Sequence, residues 1–441
     1  MMKSCDLKSM ILAVTLVLFQ CIIHGQDLKG SYQGALSRDG SIQLVNFHFS
    51  FENGKQSGTY DIPECGLYEV PFDTIFKKND TLNIKFFYGN FFCFPNDDQK
   101  QITGISQGWI PKIRLHLKKS SEGEIPYTKE DIRFLNENVM LSGMLYHPKN
   151  PKPTTKYIVL VHGSGPQTRY APYYISLGFN LVKQGYGVLL FDKRGTGKST
   201  GDFEQATLQE LAGDVLSAIN YLKGRDDLNI SEIGLLGTSQ GGWVVPIVAN
   251  QSNDVSFIIL NVGPSVSVYE QSLQQIEYSM KDDNLKKSSV DSAVAYANKY
   301  FQFVESGKEK VKNDIVKMWS EIEKKNWAEY ISLNPENELD LKWWRVNNYD
   351  PETTLKHIKC RVLAIYGEKD VSVPPAENVD KMRSYLDEAN TEYKIVTIMG
   401  VGHDMLTYQG LNGQNWDWPK VYWQWRNQPD EFMNAIIQFI K

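Results

Sequence analysis

The chain has 441 residues, of which 41% are hydrophobic and 22% are charged, and this composition excludes a disordered polymer, a collagen-like fibre and a multi-span membrane protein. Its 47 basic and 52 acidic residues give a net charge of −5, which argues against a nucleic-acid-binding protein. The length exceeds that of an average domain, so we expect two domains or one large elaborated domain.

Residues 1–25 have the pattern of a secretory signal peptide. Lys3 and Lys8 give the segment a basic start, and residues 10–23 form an almost unbroken apolar run that is too short to span a membrane comfortably. Gly25 is small enough for the cleavage site. We therefore expect an exported protein, periplasmic or secreted, with no membrane span after cleavage. A lipoprotein attached through Cys21 and an uncleaved anchor are the alternatives.

Residues 26–118 have the pattern of antiparallel strands. Apolar and polar residues alternate there with a period of two, and glycine, asparagine and aspartate separate the runs SIQLVNFHFSFENG, TLNIKFFYGNFF and WIPKIRLHLKK. This pattern predicts a small antiparallel barrel or sandwich. Cys65 and Cys93 could form a disulfide in an oxidising compartment, or could remain small buried thiols.

Residues 127–441 predict an α/β domain, because apolar runs of strand length alternate with segments of helical period. Strands that are apolar throughout, separated by amphipathic helices, indicate a parallel sheet covered on both faces. Residues 265–350 interrupt this alternation with several helical segments and no convincing strand, and we predict that they form a helical cap over the site. Four tryptophans are candidates for the lining of the covered pocket: Trp319, Trp327, Trp343 and Trp344.

Three GxSxG patterns, centred on Ser106, Ser199 and Ser239, could mark the nucleophile of a serine hydrolase. A nucleophile elbow needs a strand directly before the serine and a helix directly after it, and only Ser239 has both. An idle serine in a strand-to-helix turn is the alternative. The segment 195–200 also resembles a phosphate-binding loop, but Asp192 stands where that motif requires glycine, so we expect no nucleotide binding.

A serine nucleophile needs a histidine base and a carboxylate that orients the histidine. His403 lies in a glycine-flanked loop after a predicted strand, whereas His357 lies on a charged segment leading into one, so we predict His403 as the base. The acid should follow the preceding sheet strand, where Asp370 is the first candidate and Glu368 the second.

Two backbone N–H groups should form the oxyanion hole. One belongs to Gln240, directly after the nucleophile, and the other to Ser164 or Gly163 in the glycine-rich loop after the first long parallel strand. No clustered histidine and cysteine spacing suggests a metal, and we expect no cofactor.

Five segments, in this order along the chain, carry a resemblance to a known family: VHGSGP (161–166), FDKRGTGKS (191–199), GTSQGG (237–242), GEKD (367–370) and GVGHD (400–404). With them the chain resembles the α/β-hydrolase family, most closely exported bacterial esterases of the serine aminopeptidase-like branch, which often place a small β-domain before the hydrolase domain. The resemblance implies Ser239 as nucleophile, Asp370 as acid and His403 as base, with activity on carboxylic esters and no cofactor. Thr238 stands where many relatives have histidine.

The sequence therefore predicts a serine hydrolase that cleaves small-molecule carboxylic esters with small or aromatic acyl groups through an acyl-enzyme intermediate. An exopeptidase on the same triad is the first alternative, and the cap residues Glu270 and Glu277 could then bind the amino terminus of a substrate. A non-catalytic exported binding protein is the second alternative.

Overall fold

The computed structural model describes residues 28–78, 81–121, 123, 125–150, 154–407 and 428–441. It divides into two compact units, Met1–Glu124 and Ile125–Lys441. The predicted signal segment 1–25 lies outside the described residues. Within the part of the chain that is described, no helix is long and apolar enough to cross a membrane.

The first unit contains one antiparallel sheet of nine strands. The strands are β1 (Gly30–Arg38), β2 (Ser41–Glu52), β3 (Lys55–Ile62), β4 (Leu67–Pro71), β5 (Thr74–Lys78), β6 (Thr81–Phe86), β7 (Gly89–Pro95), β8 (Gln101–Ser106) and β9 (Arg114–Ser120). Their order is β4-β3-β2-β1-β9-β8-β7-β6-β5, so the first and last strands pair at the centre of the sheet. Strands β3 and β5 nevertheless approach each other, because the sheet curls toward a barrel. The predicted all-β domain is confirmed.

Aromatic side chains fill the interior of this curled sheet. Alternate residues of β2, β6 and β7 face inward, and Tyr32, Phe47, Phe86 and Phe91 are completely or almost completely buried. The rings of Phe47 and Phe86 meet edge to face, with their centroids 5.2 Å apart. Such pairs stabilise a core beyond the area that they bury.

The possible disulfide between Cys65 and Cys93 is absent, and both side chains are buried thiols. Cys65 ends the short 3-10 turn Pro63–Cys65, which follows β3, whereas Cys93 lies on β7. Strands β3 and β7 are not neighbours in the strand order of the sheet. Burial raises the pKa of the Cys93 thiol to about 12, so this side chain behaves as a small apolar core residue.

The second unit is built on an eight-stranded sheet with the order β10-β11-β13-β12-β14-β15-β16-β17. The strands are β10 (Tyr127–Asn136), β11 (Val139–Pro148), β12 (Thr155–Val161), β13 (Gly187–Phe191), β14 (Ile230–Thr238), β15 (Val255–Asn261), β16 (Arg361–Gly367) and β17 (Tyr393–Ile398). Strands β10 and β11 are antiparallel, and the six strands from β12 to β17 are parallel to one another. The carboxyl ends of these six strands therefore lie at one edge of the sheet, where side chains from distant parts of the sequence can meet.

Helices cover both faces of this sheet. They are α1 (Pro172–Lys183), α2 (Leu208–Lys223), α3 (Gly241–Gln251), α4 (Val268–Asp282), α5 (Lys287–Ser306), α6 (Glu309–Ile322), α7 (Glu338–Val346), α8 (Glu352–Leu355), α9 (Pro375–Ala389) and α10 (Asp430–Ile440). Val159, Leu235 and Ile258 pack in one apolar cluster with residues of α2, α3 and α9. Their sequence neighbours Leu160 and Leu236 point to the opposite face and are also fully buried. Burial on both faces explains why these strands are apolar throughout.

Helices α4 to α7 lie between β15 and β16, within the segment predicted as a cap. They have an apolar cluster of their own, which includes the fully buried Tyr296 and Tyr300. Trp319 and Trp327 belong to this cluster, so they hold the cap helices together instead of lining a pocket. The predicted α/β-hydrolase architecture, a mostly parallel sheet with a helical cap insertion, is confirmed.

Candidate active site

Ser239 lies on a sharp turn between β14, which ends at Thr238, and α3, which begins at Gly241. Its φ angle is +53°, a left-handed conformation that residues with a side chain rarely adopt. Backbone hydrogen bonds hold it there. The Ser239 N–H donates to the Asn261 carbonyl at 3.0 Å, and the Gly242 N–H donates to the Ser239 carbonyl at 2.7 Å. A strained residue persists only where its surroundings fix it in this way, and such strain is typical of functional sites.

The glycines of this motif are required because strand and helix nearly touch. A Cβ atom on Gly237 would lie 2.3 Å from the Gly241 carbonyl oxygen, and one on Gly241 would lie 2.5 Å from the carbonyl oxygen of Val161. No side chain fits at either position without displacing backbone. The helix therefore starts directly at the end of the strand, and the serine is lifted to the edge of the sheet.

The other two GxSxG serines have structural partners. Ser106 is buried in the first unit, where its Oγ accepts a hydrogen bond from the Ile113 N–H at 2.9 Å. Ser199 donates to the Asp192 carbonyl at 2.8 Å and accepts from the Ser142 N–H at 3.0 Å. Both hydroxyls fasten one backbone segment to another, and neither lies on an elbow.

Asp370 and His403 form a hydrogen-bonded pair. His403 follows β17 and Asp370 follows β16, and the distance from His403 Nδ1 to Asp370 Oδ2 is 2.8 Å. The Asp370 side chain is completely buried, and its other oxygen accepts the N–H groups of Ser372 and Val373, each at 2.8 Å. A carboxylate held by these donors fixes the histidine with its proton on Nδ1, which leaves Nε2 available as a base.

The alternative residues have other partners. Glu368 accepts a hydrogen bond from the Gly400 N–H at 2.9 Å and stabilises the loop that carries the histidine. His357 is exposed, and its Nδ1 donates to the carbonyl of Thr353. Neither residue reaches the Asp370–His403 pair.

Ser239 lies at the same edge of the sheet as this pair, since all three residues follow parallel strands. Among the hydrogen bonds of the described residues, none joins the Ser239 hydroxyl to His403. A contact of this kind often tightens only when substrate is bound.

Backbone N–H groups for an oxyanion hole are present beside the serine. Within the described residues, no hydrogen bond uses the N–H of Gln240 or of Ser164. The Gly163 N–H, the other predicted donor, is already committed to the Tyr174 hydroxyl at 2.6 Å. The N–H groups of Ser164 and Gln240 therefore have no acceptor among the described residues, and both residues line the adjacent cavity.

A polar network lies beneath the elbow, and sequence reasoning missed it. The side-chain amide of Asn261 donates to the Tyr173 hydroxyl at 2.7 Å and to the Thr238 hydroxyl at 3.3 Å. Thr238, the position that departs from many relatives, thus ties the elbow to the end of β15 and the start of α1. Its partners lie tens of residues away in the sequence, so no local pattern could reveal them.

A cavity of about 600 Å³ lies between these loops and the cap. Its aromatic lining includes Trp243, Trp343 and Trp344, and its charged lining consists of Glu204 and Asp340. The cap acids named from the sequence have other partners: Glu270 pairs with Lys381 at 2.7 Å, and Glu277 pairs with Lys281. The lining includes no lysine, arginine or histidine. The cavity therefore combines aromatic rings with acidic side chains.

Comparison with known proteins identifies the family of the chain. The model of the X-Pro dipeptidyl-peptidase (S15) family matches residues 118–417. The chain belongs to this family. The match spans more than half of the chain and includes each of the site residues described above.

Individual relatives of this S15-family chain match over shorter segments. It is 27% identical over 163 residues to an uncharacterized peptidase, YuxL, of Bacillus subtilis, covering 35% of the chain and 23% of the relative. It is 29% identical over 140 residues to the quorum-quenching protein AidA of Acinetobacter baumannii, covering 32% of the chain and 45% of the relative. The chain thus spans less than half the length of either relative.

Solved structures also match the S15-family chain at low identity. An esterase of Pyrococcus furiosus is 17% identical, with a TM-score of 0.46, and the match covers 71% of the chain and 90% of the esterase. Est1E of Butyrivibrio proteoclasticus with bound ferulic acid is 18% identical, with a TM-score of 0.45, and the match covers 70% of the chain and 97% of Est1E.

His162, directly after β12, should make the free energy of unfolding depend on pH. Burial, with a further contribution from the charge of Lys193, lowers the pKa of the His162 imidazole to about 3, whereas an unfolded histidine titrates near 6.5. Between these values the unfolded chain binds more protons than the folded one, so the free energy of unfolding falls as the pH is lowered from 6.5 toward 3. The loss from this group is ~1.4 kcal/mol per pH unit at most.

The variant His162→Phe keeps a ring against Tyr174, whose centroid lies 4.4 Å away, and removes the titration. Urea unfolding at pH 7 and pH 5 should show a smaller loss of stability in this variant than in the wild type. Equal losses in the two proteins would contradict the assignment.

Proposed function

We propose that this S15-family chain is an exported serine hydrolase that cleaves carboxylic esters of small or aromatic acyl groups. The observation that carries the proposal is the strained Ser239 at the same sheet edge as the hydrogen-bonded pair of Asp370 and His403. A left-handed serine between two glycines that tolerate no side chain has no evident structural purpose other than to present its hydroxyl. The hydrophobic segment 1–25 supports export.

The chemistry follows from the positions of these groups. The Ser239 hydroxyl attacks the ester carbonyl carbon while His403 Nε2 takes its proton, and the N–H groups of Ser164 and Gln240 donate hydrogen bonds to the developing oxyanion. The tetrahedral intermediate then collapses, and the alcohol leaves with the proton from His403. Water repeats the same two steps on the acyl-enzyme and releases the acid. Throughout, Asp370 keeps the imidazole in one tautomer and stabilises its charged form.

The cavity supports the choice of acyl group. Its volume of about 600 Å³ suits a small molecule, and Trp243, Trp343 and Trp344 offer flat apolar surfaces for a ring. The cap helices cover it, so a polymer chain would have to displace them. Soluble esters of short or aromatic acids therefore fit best.

An exopeptidase on the same triad is the second candidate, and the charged lining of the cavity favours it. Glu204 and Asp340 could bind the ammonium group of a peptide amino terminus, as the name of the X-Pro dipeptidyl-peptidase family would suggest. Burial raises the pKa of the Asp340 carboxyl, and a substrate cation would compensate for that burial. The two candidates share every catalytic group and differ in the substrate.

Replacing the nucleophile tests the proposal most directly. The Ser239→Ala variant should lose about 10⁴- to 10⁶-fold in kcat on a nitrophenyl ester, because no other group can form the acyl-enzyme. Ser106→Ala and Ser199→Ala are matched controls from the other two motifs and should retain activity. A fluorophosphonate probe should label the wild type at Ser239. An inactive Ser199→Ala enzyme with an active Ser239→Ala enzyme would refute the choice of nucleophile.

The acid can be tested with paired amide substitutions. Asp370→Asn should lower kcat severely, though less than loss of the nucleophile, because an amide at this position no longer fixes the tautomer of His403. Glu368→Gln retains an oxygen that can accept the Gly400 N–H, so it should leave kcat within a few-fold of wild type. Steady-state kinetics of both variants compares them directly, and a more damaging Glu368→Gln change would reassign the acid.

Acyl chain length distinguishes a covered pocket from a lipase site. The value of kcat/KM should be higher for acetate and butyrate esters than for palmitate esters, since cap residues line the cavity and a long acyl chain would have to pass between them. Nitrophenyl esters of increasing chain length provide the series. Faster hydrolysis of emulsified lipid than of soluble esters would mean that the cap opens as a lid.

The peptide alternative predicts a charge effect. If the acids bind a substrate ammonium group, Asp340→Asn should raise KM for aminoacyl nitroanilides and leave KM for an uncharged nitrophenyl ester nearly unchanged. Glu277→Gln is the control, because Glu277 lies outside the cavity. Absence of turnover with every aminoacyl substrate, or equal effects on both substrate classes, would exclude this alternative.

A further inference from the structure

Lys193, in the FDKRGTGKS segment, is a buried lysine that the mechanism above does not use. Its Nζ atom lies within hydrogen-bond distance of three oxygen atoms: the Gly163 carbonyl at 2.8 Å, the Gly165 carbonyl at 3.3 Å and Gln240 Oε1 at 2.9 Å. The ring of Phe203 lies 4.8 Å from the same nitrogen. An ammonium group has three N–H donors, so its donors match these oxygens in number.

No carboxylate accompanies this charge. Among the salt bridges of the described residues, none includes Lys193. Two acids of this region have other partners: Asp192 accepts the N–H groups of Arg169 and Lys198, and Asp214 binds Arg194. Burying a cation without an anion is costly, and burial lowers the pKa of the Lys193 side chain to about 7. Hydrogen bonds to the three neutral oxygens offset the cost of burying the ammonium group.

These oxygens belong to the two segments that carry the oxyanion donors. In a trans peptide group the C=O and the N–H point in opposite directions. Because the Gly163 carbonyl points at Lys193, the N–H of the same peptide group, which is that of Ser164, must point away from it. Gln240 supplies the second donor from its backbone, and its side chain accepts from the same ammonium group. One side chain thus fixes both halves of the oxyanion hole.

We propose that Lys193 is a positioning residue, which holds the N–H groups of Ser164 and Gln240 at the spacing that the tetrahedral oxyanion requires. This inference rests on the proposed hydrolase function. The oxyanion exists only in the tetrahedral state, so the loss of Lys193 should lower kcat and leave ground-state binding unchanged. Misplacing donors of this kind should cost about 10- to 10³-fold in kcat.

The test compares Lys193→Met, which keeps an unbranched side chain of similar length, with Lys198→Met, an exposed lysine of the same segment. Both variants are assayed on a nitrophenyl butyrate ester for kcat and KM. Inhibition by a trifluoromethyl ketone, which forms a tetrahedral oxyanion on the serine, is compared with inhibition by butyrate, the reaction product. We expect Lys193→Met to lower kcat and to weaken inhibition by the ketone by a similar factor. The KM and the inhibition constant of butyrate should be unchanged. Lys198→Met should match the wild type in all four values.

A folded Lys193→Met enzyme with wild-type kcat would overturn the inference. A variant in which butyrate and ketone inhibition weaken equally would also overturn it, because that result indicates general damage to the pocket. If Lys193→Met does not fold, Gln240→Leu decides, since it removes one of the three contacts while the lysine stays. The Gln240→Leu variant should have a lower kcat and weaker inhibition by the ketone. Unchanged kcat and ketone inhibition would reject the inference. Failure of the proposed function looks different, because the wild type itself would then hydrolyse no ester and Ser239 would not react with fluorophosphonate.

Discussion

The direct contact between the end of β14 and the start of α3 is the constraint on which the rest of the site depends. A Cβ atom on Gly237 would collide with the start of α3, and one on Gly241 would collide with the Val161 carbonyl at the end of β12. Ser239 turns the chain between these two glycines in a left-handed conformation. The same turn places the first free N–H of the helix, that of Gln240, beside the serine. Any side chain that pushed the helix outward would move nucleophile and oxyanion donor together.

Much of the candidate site could be predicted from the sequence, because the position of each residue follows from the order of strands and loops along the chain. In a parallel sheet every strand ends at the same edge, so a residue that directly follows a strand is placed by the order of elements alone. Ser239, Asp370 and His403 each have that position. The same reasoning separates Ser239 from Ser199, which lies in a polar loop and fastens that loop to the backbone of β11.

The features that sequence reasoning missed depend on which strands are neighbours and which way helices face. The sequence left a disulfide and two buried thiols as alternatives for Cys65 and Cys93, and the structure has the buried thiols, in a sheet whose strand order no local pattern encodes. The acids of the cavity were missed for a similar reason. Glu270 turns toward Lys381 on α9, while Asp340, on a shorter helix, lines the cavity. Periodicity locates a helix, but packing decides its orientation.

The two buried charges of the site are held in the same manner, and this has an electrostatic consequence. Asp370 is stabilised by N–H donors and not by a lysine or arginine, and Lys193 is stabilised by neutral oxygens and not by a carboxylate, among the residues described. In a salt bridge, the opposite charge of the partner would largely cancel the electric field of Asp370 or Lys193. Neutral hydrogen-bonding groups stabilise the charge without adding an opposite full charge beside it. The negative charge therefore acts on the imidazolium at His403. On the proposed mechanism, the positive charge lies behind the peptide group that faces the oxyanion. Groups that are already in place in this way favour the charge separation that develops during acylation, and they require no reorganisation when it occurs.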